Sequence, residues 1–229
     1  MPTVSGKTLI HYSSEEALLE AARRPWCRLA EAAASLACSI TRGCRGAGIT
    51  GSLLLEAQHA ASDIDIVIHS YTAATSLLLE DPPGTPLQGS EVAAWAEREA
   101  RSRGLPASLV ERLYRPWARM HYEGYTASIS IQVPGEPWRR TITYTGGRGR
   151  CIARVEPMQR SVASYPSIVE EYEGCDGYNA IIVLDGLYKP ALFEGGVFEV
   201  RGLHVVVDGE PALLVGDRRE PGYIKPLAP

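Results

Sequence analysis

Gly48-Ile49-Thr50-Gly51-Ser52, followed ten residues after Ser52 by Ser62-Asp63-Ile64-Asp65-Ile66-Val67-Ile68, is the stretch on which the fold turns. The second segment alternates in a strand-like way, and residues two apart on a strand point to the same face. Asp63 and Asp65 therefore share one face, while Ile64, Ile66 and Ile68 point into a core. Two carboxylates held a few ångströms apart repel unless a cation lies between them. Hard oxygen ligands in that arrangement suit Mg2+ or Mn2+, which also take phosphate oxygens. Gly51 permits a close backbone approach to a phosphate, and Ser52 adds a hydroxyl and an N–H donor. The groups needed to hold a metal-bound triphosphate thus fall within 18 residues.

The surrounding pattern places this stretch in an α+β domain. A short strand from Thr8 to Tyr12 leads to Ser13 and Glu16, which have capping-box spacing, and a helix to Arg24. A second helix runs from Pro25 to Ser39 and stops at the glycines of 43–48. Downstream, Ser90 and Pro106 open two amphipathic helices, with Ala96 and Ala100 on one face and Leu109, Leu113 and Trp117 on the other's. Neither carries a basic recognition face, so their junction reads as an ordinary packed pair rather than a DNA-binding helix-turn-helix. Tyr125 to Val133 alternates as a half-buried strand. The glycine-rich loop Thr145 to Arg150 reads as a boundary, giving one domain over 1–145 and a small all-β domain over 150–229, each with its own core. In the second domain five short strands are expected at 180–184, 188–193, 197–201, 203–207 and 212–215, forming an antiparallel barrel or sandwich. The turn pairs Asp185-Gly186, Gly195-Gly196 and Asp208-Gly209 separate them.

A Gly-Ser followed by an Asp-x-Asp strand resembles the signature of the nucleotidyltransferase superfamily, which includes DNA polymerase beta, poly(A) polymerases, CCA-adding enzymes and the minimal nucleotidyltransferases. The two-part plan looks most like archaeal predicted nucleotidyltransferases. The resemblance implies a mixed sheet with helices on one face. It also implies an NTP held by Gly51 and Ser52, with Mg2+ or Mn2+ on the catalytic pair Asp63 and Asp65. The implied reaction moves a nucleoside monophosphate to an acceptor hydroxyl. The chain departs from the pattern in one respect. Active members place a third carboxylate on a later strand, but the polar face of Tyr125 to Val133 is Thr126, Ser128, Ser130 and Gln132. Glu123 and Glu136 flank that strand without lying in it. Loss of the third acid weakens a two-metal mechanism. Two expectations follow: a metal-dependent nucleotidyltransferase, or a catalytically degenerate member that binds a nucleotide or RNA without turnover.

Composition narrows the rest. The 229 residues are 45% hydrophobic and 22% charged, ordinary for a globular chain, and the net charge of -4 argues against general coating of nucleic acid. That total hides a basic segment: residues 137–163 hold six arginines against the single Glu156. Arg139, Arg140, Arg148 and Arg150 form a candidate strip for a nucleic-acid acceptor; the competing reading pairs these arginines with acids of the tail. The five cysteines include no C-x-x-C pair, so a zinc site is not expected and the thiols are expected to be mostly reduced. No run approaches a membrane span, and the expected location is cytoplasmic.

Overall fold

Ser13 opens the first helix, α1 (Ser14–Arg23), by accepting a bond from the Glu16 amide at 3.3 Å, as its capping-box spacing requires. The computed structural model describes residues 13–135 and 138–227; the expected strand from Thr8 to Tyr12 and Glu136 lie outside them. Helix α2 (Arg28–Thr41) buries Leu29, Ala33, Leu36 and Ala37 on one side and ends with Arg42 in the left-handed conformation, φ 53°. It is followed by β1 (Ala47–Ile49), the single-turn α3 (Gly51–Leu54) and β2 (Ile64–Ile68). Helix α4 (Tyr71–Leu79), capped by Ser70, leads to the two-residue β3 (Thr85–Pro86). Helices α5 (Ser90–Arg103) and α6 (Ala107–Leu113) turn at Gly104 and pack on a small core of Ala96, Ala100 and Val110. Strands β4 (Arg119–Tyr122) and β5 (Tyr125–Ile131) form a hairpin about Glu123-Gly124, both at positive φ.

These strands form one mixed sheet in the order β1-β2-β5-β4-β3. β2 is antiparallel to β1 and parallel to β5, with Asp65 in register with Ser128. Helices α1, α2 and α4 cover the β1–β2 side. Ile64, Ile66 and Ile68 are fully buried, as the alternation demands. Each contributes about 1.5–3 kcal/mol of burial, which is what fixes the register that presents Asp63 and Asp65 on the other face.

The second half departs further from expectation. Thr145 to Arg150 is not a loop: it lies inside β6 (Ile142–Val155), a 14-residue strand paired along its length with β10 (Gly196–Val207). Its glycines serve the sheet instead. The register slips between Leu203 and Val205, opposite Gly146 at φ 79°, and a Cβ on Gly149 would lie 2.2 Å from the Tyr178 hydroxyl. The expected strands at 197–201 and 203–207 are the single β10, continuous through Gly202, whose Cβ would meet the Leu214 carbonyl at 2.4 Å. The expected strand at 188–193 is helix α8 (Lys189–Glu194); Asp185 caps the preceding turn, and Pro190 suits a first helical turn. A further short helix, α7 (Arg160–Ala163), precedes β7 (Ser167–Val169), β8 (Tyr172–Gly174) and β9 (Ala180–Val183). β11 (Glu210–Val215) and β12 (Tyr223–Pro226) complete the second sheet, ordered β7-β9-β11-β10-β6-β8 with β12 against β10. The β9–β11 pair is parallel, so this curled half-barrel is mixed and helix-bearing rather than purely antiparallel. The hairpin at Asp208-Gly209 forms as expected.

The two sheets do not own separate cores. One cluster of buried side chains runs from Leu18 and Ile66 through Ile131, Val162 and Phe193 to Val200 and Ile224. A second, smaller cluster on the half-barrel joins Val205, Val207, Leu214 and Ile182 to Trp138 and Ile142. Between the sheets, the buried Lys189 donates to the carbonyls of Ile131, at 2.8 Å, and Ser164, at 2.7 Å. Four cysteines are paired, as Cys38–Cys44 and Cys151–Cys175, which corrects the expectation of reduced thiols; Cys27 is free. The fold, not a local motif, makes the pairs. Cys44 folds back beyond the end of α2, and Cys151 and Cys175 flank the β6–β8 pairing. No helix among the described residues is long and apolar enough to cross a membrane.

Candidate nucleotide site

Asp65 and Gly51 meet because β1 and β2 are adjacent and antiparallel. The Thr50 amide donates to the Asp65 carbonyl at 2.8 Å, which extends the β1–β2 ladder to the point where α3 begins. Gly51 then turns the chain at φ 63°, and a Cβ there would lie 2.2 Å from Asp65 Oδ2. Glycine is thus required twice, by the backbone conformation and by the carboxylate against it. Expected to admit a phosphate, Gly51 in this structure makes room for Asp65. Ser52 follows it in the first turn of α3, partly exposed.

Asp63 and Asp65 lie at the same end of β2, both partly exposed. Burial pushes the Asp65 carboxyl above the ordinary carboxylate range, the charge of Asp63 pushes it further, and Arg119 opposes both. Arg119 is the residue that sequence reasoning missed. It stands on β4 directly opposite Ser128 of β5, its side chain only 15% exposed, and donates to Asp63 Oδ2 at 3.0 Å and to the Ser128 hydroxyl. Its Nε is buried with no hydrogen-bond partner among the described residues. The signal was in the chain. The Glu123-Gly124 turn pairs Tyr122 with Tyr125, and counting outward along the hairpin puts Arg119 across from Ser128. Ser128 is in turn the β5 residue in register with Asp65.

A guanidinium therefore occupies one flank of the carboxylate pair. Glu123 is an exposed residue of the β4–β5 turn rather than a member of that face. Among the described residues no group of three or more His, Cys, Asp or Glu side chains is disposed to hold a metal ion. The two aspartates nevertheless fit one Mg2+ or Mn2+. Both lie at one end of β2 and are partly exposed, and Mg2+ commonly takes only one or two protein carboxylates beside water and phosphate oxygens. A cavity of about 180 Å3 adjoins Arg119 and Ser128, walled by Trp95, Tyr114 and Leu187. Larger clefts lie elsewhere, two of them where α6 meets β10 and β12.

The arginine strip is largely neutralised. Arg140 pairs with Glu170 at 3.6 Å, Arg148 with Glu220 at 2.6 Å, Arg150 with Glu199 at 2.9 Å and Arg154 with Glu173 at 3.9 Å. Arg139 is exposed nearby. His121, near the site in sequence, is held by Glu91 at 2.7 Å, and the His69 ring lies between Ser14 and the Gln132 carbonyl. Comparison of the chain with family models, curated proteins and solved structures gave no match.

Proposed function

We propose that the protein is a nucleotide-binding module built on a nucleotidyltransferase-like plan, holding an NTP with a single divalent ion and carrying out little or no transfer. One observation carries this reading: Arg119 bridges Asp63 and Ser128 on the face where turnover would require a third acid. Asp65, Asp63 and the phosphate oxygens would hold the ion, with Gly51 and Ser52 at the turn beside them. When bound, the ion would neutralise triphosphate charge. Arg119 would supply fixed positive charge on the opposite flank and keep Asp63 from acting as a free base. Such an arrangement binds and orients a triphosphate, but it lacks a group to take the proton from an attacking hydroxyl.

A nucleotidyltransferase with a nucleic-acid acceptor on Arg139, Arg140, Arg148 and Arg150 is the competing reading. It needs three of those arginines to leave carboxylate partners first. Calorimetry with each NTP in Mg2+ or Mn2+, run beside a transfer assay with labelled NTPs and mixed RNA and protein acceptors, separates the two. Metal-dependent binding without transfer is the expected result. Label appearing on an acceptor would replace the module with the enzyme, and absence of metal-dependent binding would remove both.

A further inference from the structure

A cleft of about 620 Å3 lies between the α5–α6 junction and the β10–β12 pair, and neither Asp63 nor Asp65 lines it. Arg112 from α6, Arg201 from β10 and Lys225 from β12 all line it. None of the three has a carboxylate within ion-pair distance among the described residues. Their acidic neighbours are already engaged. Glu199, in register with Lys225, is held by Arg150 and by the Tyr223 hydroxyl, and Glu220 is held by Arg148. Arg103, also at the rim, is neutralised by Asp185 and Glu99. Arg201 stands directly opposite Arg150 across the β6–β10 ladder, and the carboxylate two residues along β10, Glu199, is already taken by Arg150. In a chain of net charge -4, three cations outside any ion pair thus converge on one concavity, and the one carboxylate in its lining, Glu220, is held by Arg148.

We infer that this cleft binds a small phosphorylated ligand with an apolar portion, of the nucleoside di- or triphosphate class, at a site separate from the aspartate pair. Leu105, Pro106, Leu109 and Tyr223 give it an apolar wall beside the cations. Its size falls in the usual range of small-molecule sites, about 300–1,000 Å3. A nucleic-acid strand would need a continuous basic track, and Arg148 and Arg150, which would extend it, are paired. Because α6 belongs to the first half of the chain and β10 and β12 to the second, the ligand would tie the two together.

The test is calorimetry in EDTA, which silences metal-dependent binding at Asp63 and Asp65 and so leaves that proposal untouched by failure here. ATP, inorganic tripolyphosphate and a short single-stranded RNA are the probes. The expected result is saturable ATP binding at one site, weakened by added salt. R201Q/K225Q should lower ATP affinity about tenfold or more, the scale of losing one or two charge-assisted contacts. Arg201 is exposed and Lys225 partly so, and unchanged thermal unfolding of the variant confirms that folding is intact. R112Q, on a different element, gives an independent loss. Binding that survives both variants, or no metal-independent binding of ATP, overturns the proposal. Tripolyphosphate binding as tightly as ATP overturns the apolar half of the assignment, and tighter binding of RNA replaces the small ligand with a nucleic acid.

Discussion

Replacing Arg119 with methionine asks whether its guanidinium holds the position of a cation. The substitution keeps a flexible apolar stem and removes the charge that bridges Asp63 and Ser128. A hydrogen bond to a charged group contributes about 1.5–3 kcal/mol. With Asp63 39% exposed and Arg119 15% exposed, solvent screening reduces this to about 1–2 kcal/mol. The loss has a second part, because Arg119 is what lowers the Asp65 carboxyl against burial and against Asp63. Without it Asp65 is pushed further up. A carboxyl whose pKa is raised on folding favours the folded state when protonated and loses that contribution as pH rises through the folded value. The variant's deficit should therefore be greatest at neutral pH and shrink as pH falls towards the ordinary aspartate value of 3.8. A total of about 2 kcal/mol corresponds to a fall in Tm of about 4–8 °C for a chain of this size. Saturating Mg2+ should restore most of it in Arg119→Met and do much less for the parent in the absence of nucleotide. Differential scanning calorimetry at neutral and mildly acidic pH, with and without Mg2+, measures all of this. An equal Mg2+ effect in both proteins would refute the idea that the guanidinium stands in a cation's place.

Gly51→Ala places a side chain at φ 63° with its Cβ 2.2 Å from Asp65 Oδ2. It should cost about 1–3 kcal/mol and remove metal-dependent ATP binding; intact binding by calorimetry would mean that Asp65 can turn away freely. Burial holds the Lys189 ammonium down to about 8 against an ordinary 10.5, so the unfolded chain binds more protons in between and stability should rise across that interval. The rise should approach about 3 kcal/mol in urea unfolding of the parent and be absent from Lys189→Met. Alkylation of the unreduced, denatured chain should label Cys27 alone, and mass spectrometry showing labels at Cys38, Cys44, Cys151 or Cys175 would remove the pairings.

The first sheet was legible because its signals are local and periodic. The alternation of Ile64, Ile66 and Ile68 with Asp65 fixes a face, and Ser13 and Glu16 fix a helix start. The second half is harder to read because several of its glycines lie within strands rather than at turns. Gly146 takes the positive φ of a bulge, while a Cβ on Gly149 would run into a tyrosine hydroxyl and one on Gly202 into a neighbouring carbonyl, and each constraint comes from residues distant in sequence. Lys189 to Glu194 looks strand-like by composition, yet packing of Ala191, Leu192 and Phe193 on the common core selects a helix. At the site, the aspartates and Gly51 were readable from the chain. The partner that changes their meaning, Arg119, comes from a neighbouring strand and required the hairpin register to find.

That shared core sets a last expectation, for a chain shortened to end at Thr145. The apparent boundary there suggested a free-standing first domain, but the cut falls within β6, four residues into a strand that pairs with β10 as far as Val155. It would also strip the first sheet of its cover. Val162, Phe193 and Val200 belong to the same cluster as Ile66, Ile129 and Ile131, and all would be removed or exposed. The Ile131 carbonyl would lose the Lys189 ammonium at the end of the strand that carries Ser128. Exposing even three or four such side chains forfeits about 1.5–3 kcal/mol each, comparable to the whole stability of an ordinary domain at about 5–15 kcal/mol. The shortened chain should therefore show no cooperative thermal transition and little amide protection in β5, and ATP with Mg2+ should not restore them. A sharp transition with protected β5 amides would mean that the first sheet is self-sufficient, and that the second half is attached to the nucleotide site rather than built into its support.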